Sequence, residues 1–149
     1  MKTKLIIALT LISVNAIADD SRLPTRSTIV FSRDLRPSDG DLVSITLAKQ
    51  PDGRYAASLY EDHFDRIAKK EVSQTTSISA NLKCEFTLDS DQVLIQMECT
   101  NDLRMVDGAL TDLTIASDKS SGWYSASLRT VVRQNDSTQV IGSNLRLMP

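Results

Sequence analysis

The chain has 149 residues, of which 41% are hydrophobic and 24% are charged, and its formal net charge is -2 at pH 7. This length fits one domain, and the composition is that of a folded protein rather than a disordered chain or a coiled coil. The slightly acidic balance argues against nucleic acid and against an anionic membrane surface, because both are bound through clustered lysine and arginine.

The first eighteen residues have the layout of a secretory signal peptide. Lys2 and Lys4 precede the apolar run Leu5–Val14, and the small-x-small sequence 16–18 provides a cleavage site. This run is shorter than the roughly 20 residues that cross a bilayer. We therefore expect a bacterial protein that is periplasmic or secreted, with no membrane span in the mature chain. Residues 1–18 are the predicted signal peptide, 19–27 a flexible arm and 28–149 a single β domain.

Apolar and polar residues alternate through most of the chain after residue 28, with the period of two that is typical of strands. Turn sequences such as Pro51-Asp52-Gly53 and Asp107-Gly108 separate the alternating segments. We predict an antiparallel meander of about eight strands that closes into a barrel, with a sandwich as the alternative. The alternating or short apolar segments that carry this pattern are 28–35, 42–49, 54–61, 82–88, 93–99, 103–106, 109–116, 123–133 and 138–148. The last segment places Ile141, Ser143, Leu145 and Leu147 on one face.

The segment 62–79 does not follow this pattern. Phe64, Ile67 and Ala68 are spaced as on one side of a helix, with acidic residues before them and lysines after them. The residues from 72 to 80 are rich in β-branched and hydroxyl side chains, which favour a strand. We predict a short helix around 62–70, followed by a strand.

The chain has two cysteines, Cys84 and Cys99, on the same face of a predicted hairpin. In an oxidising compartment such a pair usually forms a disulfide. A metal site would need further ligands, and a redox pair is more often Cys-x-x-Cys. We predict a cross-strand or near-diagonal Cys84–Cys99 disulfide, which closes a loop of 16 residues and should stabilise the protein by about 3 kcal/mol in the chain-entropy model.

The residues that could support catalysis are few. His63 is the one histidine of the chain, and it lies among acidic residues without a Gly-x-Ser-x-Gly nucleophile motif. Phosphate-binding loops and dinucleotide motifs are absent from the sequence. We therefore predict no catalytic residues, no cofactor and no metal site, and keep a hydrolase that uses His63 as a third hypothesis.

A loop near residue 120 is the first candidate for partner binding. Ser121, Gly122, Trp123 and Tyr124 follow a turn, and an exposed tryptophan there could anchor a contact, although packing in the core is the alternative. The loop Arg36–Asp41 is the second candidate. The four residues 121–124 resemble the Ser-Gly-x-x-Tyr loop that periplasmic C-type lysozyme inhibitors present on an eight-stranded barrel, with the tyrosine one residue early. Because of this difference, we transfer no binding residue from that family, and the resemblance implies only a binding module.

These observations lead to three hypotheses of function. The first is an exported bacterial, non-enzymatic binding protein, inhibitor-like or otherwise, that contacts a protein or a glycan through its loops. The second is a carrier of a small apolar ligand, because inward Ala57, Ala126 and Ser143 would leave space in a barrel. The third is the hydrolase. We expect a monomer in each case.

Overall fold

The computed structural model describes residues 23–38, 40–101 and 110–149. The described part of the chain forms eight antiparallel strands and two short 3-10 turns, at Leu23–Thr25 and Arg36–Ser38. The predicted signal peptide, and the predicted strand 103–106 with the turn after it, lie outside the described residues. The strands are β1 (Thr28–Asp34), β2 (Leu42–Lys49), β3 (Tyr55–Asp65), β4 (Lys70–Leu88), β5 (Leu94–Thr100), β6 (Leu110–Ser117), β7 (Tyr124–Val132) and β8 (Asn135–Leu147).

The eight strands form one closed, ring-like sheet. Each strand pairs with the next one along the chain, and β1 pairs with β8 through Phe31↔Leu147 and Ser32↔Arg146. The predicted all-β antiparallel meander of about eight strands is confirmed. Successive turns of a meander lie at opposite ends. We call the end with residues 23–27, 50–54, 89–93 and 118–123 the first rim, and the end with 35–41, 66–69 and 133–134 the second rim.

Because apolar and polar residues alternate along the strands, apolar side chains fill the interior of the ring. On β2, Val43, Ile45 and Leu47 face inward and are buried, as the sequence pattern predicts. One contiguous cluster joins all the strands, and partly buried residues pack around it. The largest fully buried side chains are Phe31, Ile29, Ile45, Leu47, Leu82, Leu94, Met97, Leu113, Ile115 and Leu145.

The predicted helix around 62–70 is wrong. These residues form the tip of the β3–β4 hairpin, in which His63 lies opposite Val72 and residues 66–69 make the turn. The Asp65 carboxylate accepts the backbone N–H groups of Ile67 and Ala68, each at 2.9 Å. Lys69 then adopts the left-handed conformation, with φ of 50°. The side chains that suggested a helix face do not pack against the ring, because Ile67 is 97% exposed. The strand predicted after the helix is present as the first half of β4.

Two register shifts change which residues of β8 face inward. One lies between Tyr124↔Leu145 and Ala126↔Gly142, where Asn144 has a φ of 52°, and the other lies between Ala126↔Gly142 and Ser127↔Val140. As a result, Gly142 and Leu145 are buried while Ser143 is exposed, so the strict alternation predicted for this strand is wrong at Ser143. A Cβ atom at Gly142 would lie 2.9 Å from Leu145 Cδ1, which explains the need for glycine there.

The predicted disulfide is present. Cys84 and Cys99 are paired directly across β4 and β5, with their Cα atoms 4.0 Å apart. The S–S bond therefore joins adjacent strands rather than distant parts of the ring. Cys99 is buried within the core cluster, and Cys84 packs against it. This disulfide is consistent with a protein that resides outside the reducing cytosol.

The described part of the predicted N-terminal arm is packed against the first rim. Leu23 is buried in the core cluster, and Arg26 Nη1 donates to the Met148 carbonyl oxygen at 2.9 Å. Ser27 accepts a backbone hydrogen bond from Lys49 N–H at 2.7 Å. These contacts join residues 23–27 to the ring, and the flexibility of the arm stays a prediction. None of the described helices has the length and apolarity needed to cross a membrane.

Candidate functional site

The loop 118–123 is held in one shape by hydrogen bonds to Asp118. The Ser120 N–H and hydroxyl donate to Asp118 Oδ1 at 2.9 and 2.8 Å, and the Ser121 hydroxyl donates to Oδ2 at 3.0 Å. The Asp118 N–H donates to the Trp123 carbonyl oxygen, and the Gly122 N–H donates to the Asp118 carbonyl oxygen, each at 2.8 Å. These donors, those of Ser120 first, lower the pKa of Asp118. Gly122 takes a φ of 70°, which is favourable for glycine.

Trp123 lies half-buried at the end of this loop, with Arg146 of β8 over its ring. The guanidinium carbon of Arg146 is 4.4 Å from the ring centroid, a cation–π contact. The register explains the contact, because Tyr124 pairs with Leu145 and both side chains face inward, so the residues next to them face outward. Ser121 and Gly122 beside this pair are exposed. We call Ser121, Gly122, Trp123 and Arg146 the Trp123 patch.

Tyr124, by contrast, belongs to the core. It is 6% exposed, and its hydroxyl donates to the Leu94 carbonyl oxygen at 3.0 Å. Its ring makes an edge-to-face contact with Phe31, with centroids 5.2 Å apart. Burial, and secondly the negative charge of Asp89, raises the pKa of the Tyr124 phenol. Of the four predicted partner-binding residues, the structure therefore brings Ser121, Gly122 and Trp123 to the surface and directs Tyr124 inward. Arg146 was not predicted as part of this site, because its position beside Trp123 depends on the bulge in β8.

The second candidate loop and His63 meet at the second rim. Arg36 pairs with Asp34 at 2.7 Å and with the buried Asp62 at 3.1 Å, and so ties the β1–β2 connection to β3. The Arg36 guanidinium lowers the pKa of Asp34 through side-chain hydrogen bonding. A cavity of 180 Å³ lies here, lined by Arg36, Gly40, Asp62, His63, Phe64 and Glu71.

This cavity contains charged groups but lacks the geometry of a hydrolytic site in the residues that the structure describes. His63 is exposed, and the hydrogen bonds described for the chain do not join it to a hydroxyl or a carboxylate. A base needs a nucleophile and an orienting group within hydrogen-bond reach. Asp62, the nearest acid in sequence, is instead paired with Arg36.

A further groove, which the sequence did not indicate, lies on the outer face of β4, β5 and β6. Its volume is 360 Å³, and Glu85 lies directly opposite Glu98 across the strands that form it. Gln96 Nε2 donates to Glu98 Oε1 at 2.7 Å. Lys83 and Asp112 also line the groove. Within residues 23–38, 40–101 and 110–149, no three histidine, cysteine or acidic residues are placed to hold a metal ion.

A comparison with known proteins finds no matching family model, curated protein or solved structure. The assignment of function therefore depends on the geometry of the described residues.

Proposed function

We propose that this is an exported, non-enzymatic binding protein that contacts a partner macromolecule through the Trp123 patch. The observation that carries the proposal is the position of Trp123, half-buried on a hydrogen-bonded loop with Arg146 against its ring. Tryptophan and arginine are among the residues that most often dominate binding energy at interfaces. A preformed loop also loses little conformational entropy when it binds.

A protein partner fits this patch better than a glycan. Sugars commonly stack on an open aromatic face, whereas Arg146 already lies over one face of the Trp123 ring at 4.4 Å. The loop adds hydroxyl groups from Ser120 and Ser121, which are exposed beside the ring. An aromatic anchor with an adjacent cation and polar groups around it is typical of the centre and rim of a protein interface.

Export is part of the same proposal. The predicted signal peptide 1–18 supports it, and so does the Cys84–Cys99 disulfide, which persists most readily in an oxidising compartment. We expect the mature chain to begin at Asp19. Intact mass of the protein recovered from the periplasm or the medium tests this, and an uncleaved chain retained in the cytoplasm would contradict it.

A photocrosslinking experiment tests the binding site. Trp123 is replaced by p-benzoylphenylalanine in the protein expressed in its own host, and the cells are irradiated. Ile67, which is 97% exposed at the second rim, takes the same replacement as the control. We expect a crosslinked partner from position 123 and none from position 67. Equal crosslinking from both positions, or crosslinking from neither, would contradict the proposal.

The identified partner then allows affinities to be measured. We expect Trp123→Ala and Arg146→Ala to weaken binding by about ten- to thirty-fold each, which corresponds to about 1.4–2 kcal/mol. Ile67→Ala is the matched control and should bind as the wild type does. A partner protein identified as a hydrolase would support an inhibitor-like role, and a glycan would replace the protein partner in the proposal.

The carrier and hydrolase hypotheses receive no comparable support from the described residues. Ala57 and Ala126 do face inward, but they pack within the core cluster. Ser143, the third small residue, is exposed and contacts Arg33. Because large side chains fill the described interior, we propose no carrier function.

A further inference from the structure

The ring closes only at the C-terminal end of β8. β8 runs from Asn135 to Leu147, yet its pairing with β1 consists of Phe31↔Leu147 and Ser32↔Arg146. The segment Asn135–Val140, which we call the β8 edge, pairs on one side with β7. β7 is itself covered on its other side by β6. Among the described strands, none pairs with the outer side of the β8 edge, so backbone N–H and C=O groups there lack a ladder partner.

Two features mark where this edge ends. Toward the C-terminus, the register shift before Gly142 makes a bulge, and Arg33 Nη1 then donates to the Ser143 carbonyl oxygen at 3.1 Å. Toward the N-terminus, the turn at residues 133–134 begins the strand. The edge is therefore a regular six-residue stretch beside the second rim, since Val132↔Asn135 to Ser127↔Val140 pair without interruption.

The side chains of the edge do not protect it against pairing. Natural sheets block exposed edges with lysine, proline or inward-pointing charge. Here the sequence from Ser137 to Val140 has no charge and no proline, and Val140 is 72% exposed. The single charge of the edge, Asp136, is bound by Arg129 at 2.6 Å, and that pairing lowers its pKa.

We propose that the β8 edge pairs with the β8 edge of a second copy of this chain, antiparallel and about a two-fold axis. A second copy fits because the edge is complementary to itself. In antiparallel self-pairing, each end of the segment lies opposite the other end, so Asp136 faces Gln139 of the second copy rather than another carboxylate. Thr138 and Val140 are β-branched and suit cross-strand contacts. The two rings then share one continuous sheet through β7 and β8 of each copy.

This dimer is expected to be weak and to depend on concentration. Six residues per chain give a short ladder, and interfaces of less than about 1,200 Å² are typical of transient association. The proposal goes beyond the binding function above, because the Trp123 patch lies at the first rim and the β8 edge lies beside the second. It replaces the expectation of a monomer, which took no account of an unpaired edge.

Sedimentation velocity over protein concentrations from about 1 µM to about 1 mM tests the proposal, since weak interfaces associate in this range. We expect the sedimentation coefficient of the wild type to rise toward that of a dimer. Val140→Lys and Thr138→Lys should each weaken the association at least ten-fold, because a lysine on a strand edge opposes pairing with a second strand. Val93→Lys is the matched control, since Val93 is an exposed valine at the first rim, and should leave the association unchanged.

Amide hydrogen exchange shows directly which residues form the contact between the two copies. We expect exchange within Asn135–Val140 to slow as the wild-type concentration rises, and to remain fast in Val140→Lys. A wild type that sediments as a monomer up to about 1 mM would overturn the proposal. So would an association that the edge lysines leave unchanged, because the contact would then lie elsewhere.

Discussion

Replacing Tyr124 with phenylalanine should destabilise the fold by about 1–2 kcal/mol, because it removes one buried hydrogen bond without changing the ring. The Tyr124 hydroxyl donates to the Leu94 carbonyl oxygen at 3.0 Å, and Leu94 is itself 1% exposed. The variant loses the bond and leaves a buried acceptor without this donor. The edge-to-face contact with Phe31 is retained, so the substitution does not lower the stability further by leaving a cavity in the core.

Urea unfolding with the disulfide intact measures this change. Far-UV circular dichroism and the emission of Trp123, the single tryptophan of the chain, provide two independent probes. Tyr60→Phe is the matched control, because Tyr60 is half-buried on β3 and no hydrogen bond of its hydroxyl is described; we expect a change below about 0.5 kcal/mol. If Tyr124→Phe lowers the free energy of unfolding no more than Tyr60→Phe does, the hydrogen bond to Leu94 does not stabilise the fold by the expected amount.

Three further predictions follow from particular contacts. Replacing Cys84 and Cys99 together with alanine should lower the unfolding free energy by about 2–4 kcal/mol in urea titrations, and the wild type should resist alkylation until it is reduced. Gly142→Ala should lower the free energy of unfolding by about 1–3 kcal/mol, because the added Cβ would meet the buried Leu145 side chain at 2.9 Å. An unchanged free energy of unfolding would contradict that contact. Asp118 has a lowered pKa, so its stabilisation of the loop is full above its ordinary value of 3.8 and is lost as pH falls through the lower folded value. Trp123 emission should therefore change in acid below pH 3.8, while Asp118→Asn should show no such acid transition.

Much of the fold was predictable because it depends on local alternation. Where strands run without interruption, as in β2, each apolar residue of the pattern lies inside the ring. The pairing of Cys84 with Cys99 was also predictable, since a hairpin around one turn places residues at similar distances from that turn opposite each other. These features need no information about distant parts of the chain.

The errors occur where alternation is interrupted or where apolar residues are not buried. Helical spacing of Phe64 and Ile67 predicts a helix only if a helix buries them, and both are exposed at a hairpin tip, where an aspartate-capped turn satisfies the backbone. In β8, the inner face changes at the two register shifts on either side of Ala126↔Gly142, where Leu145 packs close to Gly142. A bulge changes the inner face without a clear signal in composition.

The candidate site was predictable only in part for the same reason. The turn residues before Trp123 indicated an exposed loop, and the loop is there. The alternation that places Ala126 inward also places Tyr124 inward and Trp123 on the other face, as the structure has them. The partner of Trp123, Arg146, lies on the neighbouring strand β8, and the register shifts between β7 and β8 decide which residue of β8 comes beside Trp123.

The affinity of Trp123→Ala for the crosslinked partner, measured beside its unfolding free energy, tests the proposed binding function most directly. We predict a loss of affinity of at least about ten-fold in a variant that remains folded at the assay temperature, since the half-buried Trp123 lies outside the core cluster. Tyr124→Phe should show the opposite pattern, with reduced stability and unchanged affinity at a temperature where it is folded. Wild-type affinity in Trp123→Ala would contradict the assignment of binding to the Trp123 patch.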